Sequence, residues 1–116
     1  MAEQKNSHNV VAFFRYRMND LSAAEREEYN RTAERLYGIA SAMPGFVSYR
    51  EYEGQNGELL GVTEWASAEA LAAWREHPEH RQAQDRGRRV FYSEYEITVC
   101  TPLHKYDFKS DKRSAR

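Results

Sequence analysis

The segment FVSYREYEGQNGELLGVTEW, residues 46–65, contains two β-rich runs on either side of a Gln-Asn-Gly turn. The Asn-Gly pair supplies the positive φ angles that tight hairpin turns need. We therefore predict two antiparallel strands, Phe46–Glu53 and Glu58–Trp65, joined by a hairpin at Gln55–Gly57. The elements on either side of this hairpin then identify the fold to which it belongs.

The residues before the hairpin predict a strand followed by a helix. Val10–Met18 (VVAFFRYRM) is a β-rich run with alternating side chains. Ser22 followed by Glu25 is a capping-box pattern, which predicts the start of a helix. Pro44-Gly45 predicts the end of that helix. The apolar stripe of that helix advances in steps of three or four residues through Tyr29, Ala33, Leu36, Ala40 and Met43.

The residues after the hairpin predict a second helix and a fourth strand. Ser67 caps a helix that runs to His77. Pro78 is tolerated in a first helical turn, so a second helical segment can restart there and reach Val90–Tyr92. Alternation in the last strand places three apolar residues on one face: Tyr95, Ile97 and Val99.

The element order β-α-β-β-α-β predicts a ferredoxin-like α+β fold with an antiparallel sheet. Two helices on one face of a four-stranded sheet leave the other face bare. We expect aromatic and aliphatic side chains on that bare face, and hence a second copy of the chain covering it. The sequence therefore predicts a homodimer.

Length and composition are those of one compact domain. The chain has 116 residues, of which 41% are hydrophobic and 30% charged, with a net charge of −1. This balance argues against nucleic acid as the main partner, and the chain lacks the apolar run of ~20 residues that a membrane helix needs. The opening MAEQKNSHN lacks a charged and apolar leader, from which we expect a cytoplasmic location.

Both ends of the chain differ in character from the middle. We expect residues 1–8 to form a disordered tail and residues 9–100 the folded domain. Residues 101–116 carry five Lys or Arg and two Asp, a local charge of +3, and are expected to form a loose basic tail. The single cysteine, Cys100, excludes an internal disulfide and a multi-cysteine zinc site, and is expected to be a small buried hydrophobe.

Aromatic residues make up 13% of the chain: eight Tyr, five Phe and two Trp. A domain of this size cannot bury so many rings in its own core, because small domains keep a large surface fraction. We expect the surplus rings to line a cavity, an interface, or both.

Several motifs resemble one known family. Pro44-Gly45-Phe46 follows the first helix, a strand ends in Glu64-Trp65, and residues 65–80 read WASAEALAAWREHPEH. Over residues 9–100 the chain resembles the antibiotic biosynthesis monooxygenases. The resemblance implies a dimeric α-β barrel in which two sheets face each other. Proteins of this shape oxidise aromatic hydroquinones or anthrones with O2 and no metal or flavin, or degrade haem, or isomerise small molecules.

The haem-degrading relatives use an Asn on the first strand, a Trp on the second helix and a His about ten residues later. Trp74 matches the tryptophan, whereas Phe14 and Gln84 stand at the other two positions. The resemblance therefore argues against haem degradation of the usual kind, although His77 or His80 remains as a displaced ligand. No metal ion is expected.

The cofactor-free relatives use an Asn and a Trp in the pocket, and here Trp65 and Trp74 are the available tryptophans. No Asn lies inside a predicted strand, so another polar group must act on the substrate. Our candidate base is His77, because imidazole titrates near neutral pH and lies on the sheet-facing side with Trp74. The alternative is that His77 only caps the segment that begins at Pro78.

Other residues are candidates for contacting the substrate. Arg15 either binds an anionic group or forms a structural ion pair with Glu51 or Glu64 on a neighbouring strand. His80, three residues after His77, could share a metal ion with it in an unbroken helix, and the alternative is a histidine at the surface. The full predicted set comprises catalytic His77 and Trp74 and substrate-contacting Phe14, Arg15, Tyr49, Trp65, His80, Gln84 and Tyr92.

The sequence thus predicts a small dimeric monooxygenase that oxidises a quinol-like or anthrone-like aromatic molecule with molecular oxygen and without a cofactor. Two alternatives remain open. One is a module that binds a small hydrophobic molecule without turnover, and the other is a haem-binding protein with non-standard ligation.

Overall fold

The computed structural model describes residues 9–112, and the predicted tail of residues 1–8 lies outside them. The described chain contains four strands and three α-helices in the order predicted from the sequence. The elements are β1 (Val10–Met18), α1 (Ala23–Ser41), β2 (Phe46–Glu53), β3 (Leu59–Trp65), α2 (Ala68–Arg75), α3 (Pro78–Arg86) and β4 (Tyr92–Cys100).

All strand pairs are antiparallel, and their order in the sheet is β2-β3-β1-β4. This confirms the predicted ferredoxin-like α+β fold. The turn between β2 and β3 is a single 3₁₀ turn, Gln55–Gly57, in which Asn56 and Gly57 have φ angles of 56° and 80°. Both residue types tolerate positive φ, which is why this dipeptide forms the turn.

The predicted helix caps are present. The Ser22 hydroxyl accepts a hydrogen bond from the Glu25 backbone N–H, and the Glu25 carboxylate accepts one from the Ser22 backbone N–H. The Ser67 hydroxyl accepts from Ala70 at the start of α2. These bonds satisfy donors that a helix N-terminus otherwise leaves unpaired.

The region between α2 and β4 differs in detail from the prediction. α2 ends at Arg75, and Pro78 occupies the first turn of a separate helix, α3. The predicted helix to Val90–Tyr92 closes in a π-helical turn, Gly87–Phe91, which leads directly into β4. Proline lacks the N–H and clashes with the preceding turn, so it can begin a helix but cannot continue one.

A bulge in β2 determines which face each of its side chains occupies. The register with β3 shifts between Phe46 and Ser48, so that Phe46, Tyr49 and Glu51 share one face of the sheet. An unbroken strand would have placed Glu51 on the face opposite Phe46, because side chains alternate. The bulge therefore directs the Glu51 side chain toward the helices.

The core lies between that face and the helices, at the Trp65 end of the sheet. Five buried residues form it: Val10, Ala40, Trp65, Leu71 and Trp74. Gly45, with φ +88°, allows β2 to pass close to α2, because a Cβ there would lie 2.5 Å from the Ala70 Cβ. The Pro-Gly motif thus both ends α1 and brings these elements together.

The bare face of the sheet carries apolar and charged side chains, whereas aromatic and aliphatic ones were predicted. Phe13 lies opposite Val62 on this face. Arg15 pairs with Glu96 at 2.6 Å and with Glu58 at 2.8 Å. The charged positions follow the apolar ones along the strands, so only part of the face is apolar.

Cys100, at the end of β4, is exposed and reduced, so the prediction of a buried cysteine was wrong. Residues 101–112 contain no helix or strand, and three of their apolar residues are exposed: Leu103, Tyr106 and Phe108. Between residues 9 and 112, no helix has the length and apolar character required to cross a membrane.

Candidate functional site

A cavity of about 740 Å³ lies between the helix-covered face of the sheet and helices α1, α2 and α3. Its wall is mainly aromatic and aliphatic, with a small number of polar side chains, which is typical of sites for small organic molecules. The strands contribute Ala12, Phe14 and Tyr16 from β1, Tyr49 and Glu51 from β2, and Tyr92, Tyr95 and Ile97 from β4.

One end of the cavity holds an imidazole beside an indole. The ring centroids of His80 and Trp74 are 4.4 Å apart, and Trp74 stacks in turn on Trp65 at 6.3 Å. Within the described residues, the buried Nδ1 of His80 has no hydrogen-bond partner. A buried polar atom without a partner is costly. Because His80 also lines the cavity, Nδ1 is the atom of this imidazole that a ligand would satisfy.

The environment of His80 favours its neutral form. Burial lowers the pKa of His80, because the imidazolium is poorly solvated there. The Arg75 carbonyl opposes this change, whereas the charges of His77 and Arg75 add to the lowering of the pKa. His80 is therefore a neutral imidazole at neutral pH, which is the form that accepts a proton.

The other end of the cavity holds a carboxylate and two phenols. The hydroxyls of Tyr16 and Tyr49 each donate a hydrogen bond to the carboxylate of Glu51, one to each oxygen. Tyr29, from α1, places its hydroxyl 3.5 Å from that of Tyr16. Strand β2 supplies two members of this cluster because of its bulge.

Burial, together with the hydrogen bonds to Glu51, raises the pKa values of Tyr16 and Tyr49 above the ordinary range. Burial also raises the pKa of Tyr92. These phenols consequently remain neutral hydrogen-bond donors at physiological pH. The negative charge of the cluster is carried by Glu51.

The described residues contain no group of three or more His, Cys, Asp or Glu side chains arranged to hold a metal ion.

Residues 12–86 match the family described as antibiotic biosynthesis monooxygenase. The chain belongs to this family. Among curated proteins, the uncharacterized Bacillus subtilis protein YqjZ is 37% identical over 72 residues. That alignment covers 62% of this chain and 63% of YqjZ, so the match spans less than two thirds of that relative.

Solved structures of similar shape support the family assignment at the level of the fold. Rv0793 from Mycobacterium tuberculosis superposes with a TM-score of 0.70 at 21% identity, covering 85% of this chain and 99% of that one. SnoaB from Streptomyces nogalater, described as a cofactor-independent oxygenase, also superposes well, with a TM-score of 0.69 at 14% identity. The superposition covers 85% of this chain and 97% of SnoaB.

The structure of this monooxygenase-family chain brings six of the predicted site residues together at the cavity. Trp74 and His80 lie at the imidazole end. The Phe14 ring contacts Tyr92 with ring centroids 5.4 Å apart, on the wall formed by β1 and β4. All six line the cavity: Phe14, Tyr49, Trp74, His80, Gln84 and Tyr92.

His77, the base predicted from the sequence, does not line the cavity. Its Nδ1 accepts a hydrogen bond from the Glu79 backbone N–H at 3.1 Å, which makes it the N-cap of α3. The chain turns between α2 and α3, and this turn directs His80, three residues later, at the cavity. Of the two interpretations of His77, the structure favours the helix cap.

Arg15 and Trp65 also lie outside the cavity lining. Arg15 projects from the bare face of the sheet, where its partners are Glu58 and Glu96 rather than the predicted Glu51 or Glu64. Trp65 is fully buried in the core, with 0% exposure. Neither residue is placed to contact a molecule in this cavity, whereas both were predicted to contact the substrate.

At the carboxylate-phenol end of the cavity, sequence reasoning selected Tyr49 and missed Tyr16, Tyr29 and Glu51. Tyr16 and Tyr29 lie on the predicted inner faces of β1 and α1, so their placement was accessible from periodicity. Glu51 was not accessible, because a one-residue bulge reverses its face and nothing in the residue types of β2 announces the bulge.

Proposed function

We propose that this protein is a cofactor-independent monooxygenase that oxidises a polycyclic aromatic molecule of the quinol or anthrone type with O2. The observation that carries the proposal is the aromatic cavity with the unpartnered, buried Nδ1 of His80 at one end. Membership of the family and similarity in fold to SnoaB, a cofactor-independent oxygenase, are consistent with this chemistry.

The reaction needs a base and an environment without water. Oxygen accepts an electron readily only from an electron-rich anion, so the substrate must first lose a proton. In the proposal, the neutral imidazole of His80 takes that proton at Nδ1. Trp74 and the surrounding rings enclose the anion and exclude water while it reacts with oxygen.

The overall step is balanced without an external reductant. For an anthrone, the ring CH2 loses two hydrogen atoms and gains one oxygen atom, which gives the quinone. The second atom of O2 leaves as water with those two hydrogens. The substrate supplies all the electrons and O2 is the only oxidant, so neither haem, flavin nor a metal ion is required.

We also propose that two copies associate through the bare sheet face, which carries Phe13 opposite Val62. Covering these apolar side chains stabilises a dimer. Multi-angle light scattering is expected to give twice the monomer mass of 13.6 kDa. A monomer at micromolar concentration would contradict the dimer and leave the cavity chemistry unaffected.

The activity is tested by oxygen uptake with anthrone and a dihydroxyanthrone, and by mass spectrometry after reaction under isotopically labelled oxygen. We expect the quinone to contain one labelled atom. Replacing His80 by Ala is expected to lower kcat/KM by about 10²-fold or more, which is the usual contribution of a general base.

The matched control is His77→Asn. Asn is among the preferred N-cap residues, so this variant keeps the cap of α3 while removing the second imidazole. We expect its kcat/KM to stay within about twofold of the wild type, because a preserved cap leaves His80 in place. Equal losses in both variants would show that His80 does not act as the base.

The alternatives predict different outcomes. Tight binding of anthrones without oxygen uptake would indicate a binding module rather than an enzyme. A Soret shift on adding hemin, lost in His80→Ala, would indicate a haem protein. Either result would refute the proposed oxygenase.

A further inference from the structure

The cavity has two chemically different ends, and two residues of β3 mark where they lie. Glu51 lies opposite Gly61 in the sheet, whereas Trp74 stacks on Trp65. Gly61 and Trp65 are four residues apart, which corresponds to about 13 Å along a strand. We therefore expect a single aromatic ring in contact with Trp74 to fall short of Glu51, and a molecule of several fused rings to extend toward it.

The Glu51 carboxylate retains capacity to accept further hydrogen bonds. A carboxylate offers about four lone-pair positions, and Tyr16 and Tyr49 use one on each oxygen. The two phenols also hold the carboxylate in one orientation. Gly61, across from Glu51, adds no side chain, and the nearest atoms that a Cβ there would meet are the Glu51 Oε1 and Tyr49 Cε1, each at 3.5 Å.

The charge of Glu51 is not neutralised by an ion pair within residues 9–112. The arginines of β1, Arg15 and Arg17, pair instead with Glu58, Glu94 and Glu96 on the other face. Arg75 and Glu34 are the other charged residues that line the cavity. Arg75 interacts with His80 through its carbonyl and its charge, so it belongs to the opposite end.

We propose that Glu51, oriented by Tyr16 and Tyr49, binds a hydroxyl group at one end of a polycyclic aromatic substrate and rejects aromatic carboxylates of the same size. This proposal rests on the proposed function, because both assume that the substrate binds in this cavity. A hydroxyl donates a hydrogen bond to the carboxylate, whereas a second carboxylate has no proton to donate and carries a like charge.

The test uses two probes of matched size that are already fully oxidised: hydroxymethyl-anthraquinone and anthraquinone carboxylate. Their binding is followed by quenching of tryptophan fluorescence and by calorimetry, so no turnover is needed. We expect the wild type to bind the hydroxymethyl probe about tenfold more tightly than the carboxylate, as follows from two like charges close to each other near a protein surface.

Glu51→Gln removes the charge while keeping the size of the side chain. We expect the preference for the hydroxymethyl probe to fall to about twofold or less, mainly because the carboxylate binds more tightly once the like charge is gone. The matched control is Glu53→Gln, two residues farther along β2, which makes the same change in net charge outside the cavity lining. Its preference is expected to equal that of the wild type.

Equal binding of both probes by the wild type would overturn the proposal without any variant. A preference unchanged in Glu51→Gln, or lost equally in Glu53→Gln, would also overturn it. These results leave the oxygenase intact if anthrone oxidation still depends on His80. Absence of binding by either probe would instead overturn the use of this cavity, and with it both proposals.

Discussion

Replacing Gly87 by Ala tests how closely the wall of the cavity is packed. Gly87 follows α3 with helical angles, φ −58° and ψ −46°. An added Cβ would lie 2.5 Å from Cε2 and 2.8 Å from Cδ2 of the Tyr92 ring. Ordinary contacts to a Cβ begin near 3.4 Å, so the ring must move by about 1 Å.

A movement of the Tyr92 ring disturbs its contacts with two other rings of the cavity wall. Its centroid lies 5.3 Å from that of Tyr16 and 5.4 Å from that of Phe14. Helix propensity alone predicts that Gly→Ala stabilises the protein by about 1 kcal/mol, whereas overpacking costs about 1–3 kcal/mol. We expect a net decrease of about 1 kcal/mol in the free energy of unfolding.

Gly38→Ala is the matched control, because Gly38 lies within α1 and a Cβ there meets nothing within 4 Å. Its free energy of unfolding is expected to rise by up to about 1 kcal/mol. Urea denaturation, followed by circular dichroism, measures both variants under identical conditions. The two substitutions are thus expected to differ in sign and by about 2 kcal/mol in total.

A Tyr92→Leu background separates the clash from any other effect of Gly87→Ala. Leucine lacks the ring atoms that the new Cβ meets, so Gly87→Ala should no longer destabilise the protein in this background. The double-mutant cycle should then give a coupling free energy of about 1–2 kcal/mol between the two substitutions. If Gly87→Ala stabilises the protein as much as Gly38→Ala does, the close packing of Tyr92 on Gly87 is refuted.

Three further perturbations follow from the described contacts. Ser22→Ala removes the capping bond to Glu25 and should lower the free energy of unfolding by about 1 kcal/mol in urea denaturation, with Ser22→Asp close to the wild type. Because burial lowers the folded-state pKa of His80, the unfolded chain binds more protons, so stability should fall as pH decreases below about 6.5. Thermal unfolding at several pH values should show a smaller loss of stability at low pH in His80→Gln than in the wild type. An equal loss of stability in both proteins would contradict the buried neutral imidazole. Tyr16→Phe leaves Glu51 with one phenol donor and should lower the free energy of unfolding by about 1–3 kcal/mol. An unchanged free energy of unfolding in urea denaturation would contradict this hydrogen bond.

Local patterns were sufficient to predict the elements. The capping box at Ser22, the Asn-Gly turn and the proline at residue 78 each act through their own backbone within a few residues. Their physical effects are therefore independent of the rest of the fold. Periodicity in β1 and α1 likewise placed Phe14 and Tyr29 on inner faces.

The distinction between His77 and His80 shows where such reasoning stops. In an uninterrupted helix both histidines would lie on one side, and periodicity from Trp74 would favour His77. The break before Pro78 turns α3 away from the direction of α2. The positions of α3 that face the sheet therefore differ from those that a continuous helix would place there. His77 then caps a helix, and His80 reaches the cavity.

The amino-acid sequence by itself determined the order of strands and helices and the aromatic surplus, because these depend on short-range backbone preferences and on composition. The tertiary structure alone decided that Glu51 meets Tyr16 and that His80 meets Trp74. Each of these pairs depends on an irregularity, the bulge in β2 or the break before α3. A one-residue change in register moves every later side chain to another face, and only the packing of the whole sheet and its helices selects that register.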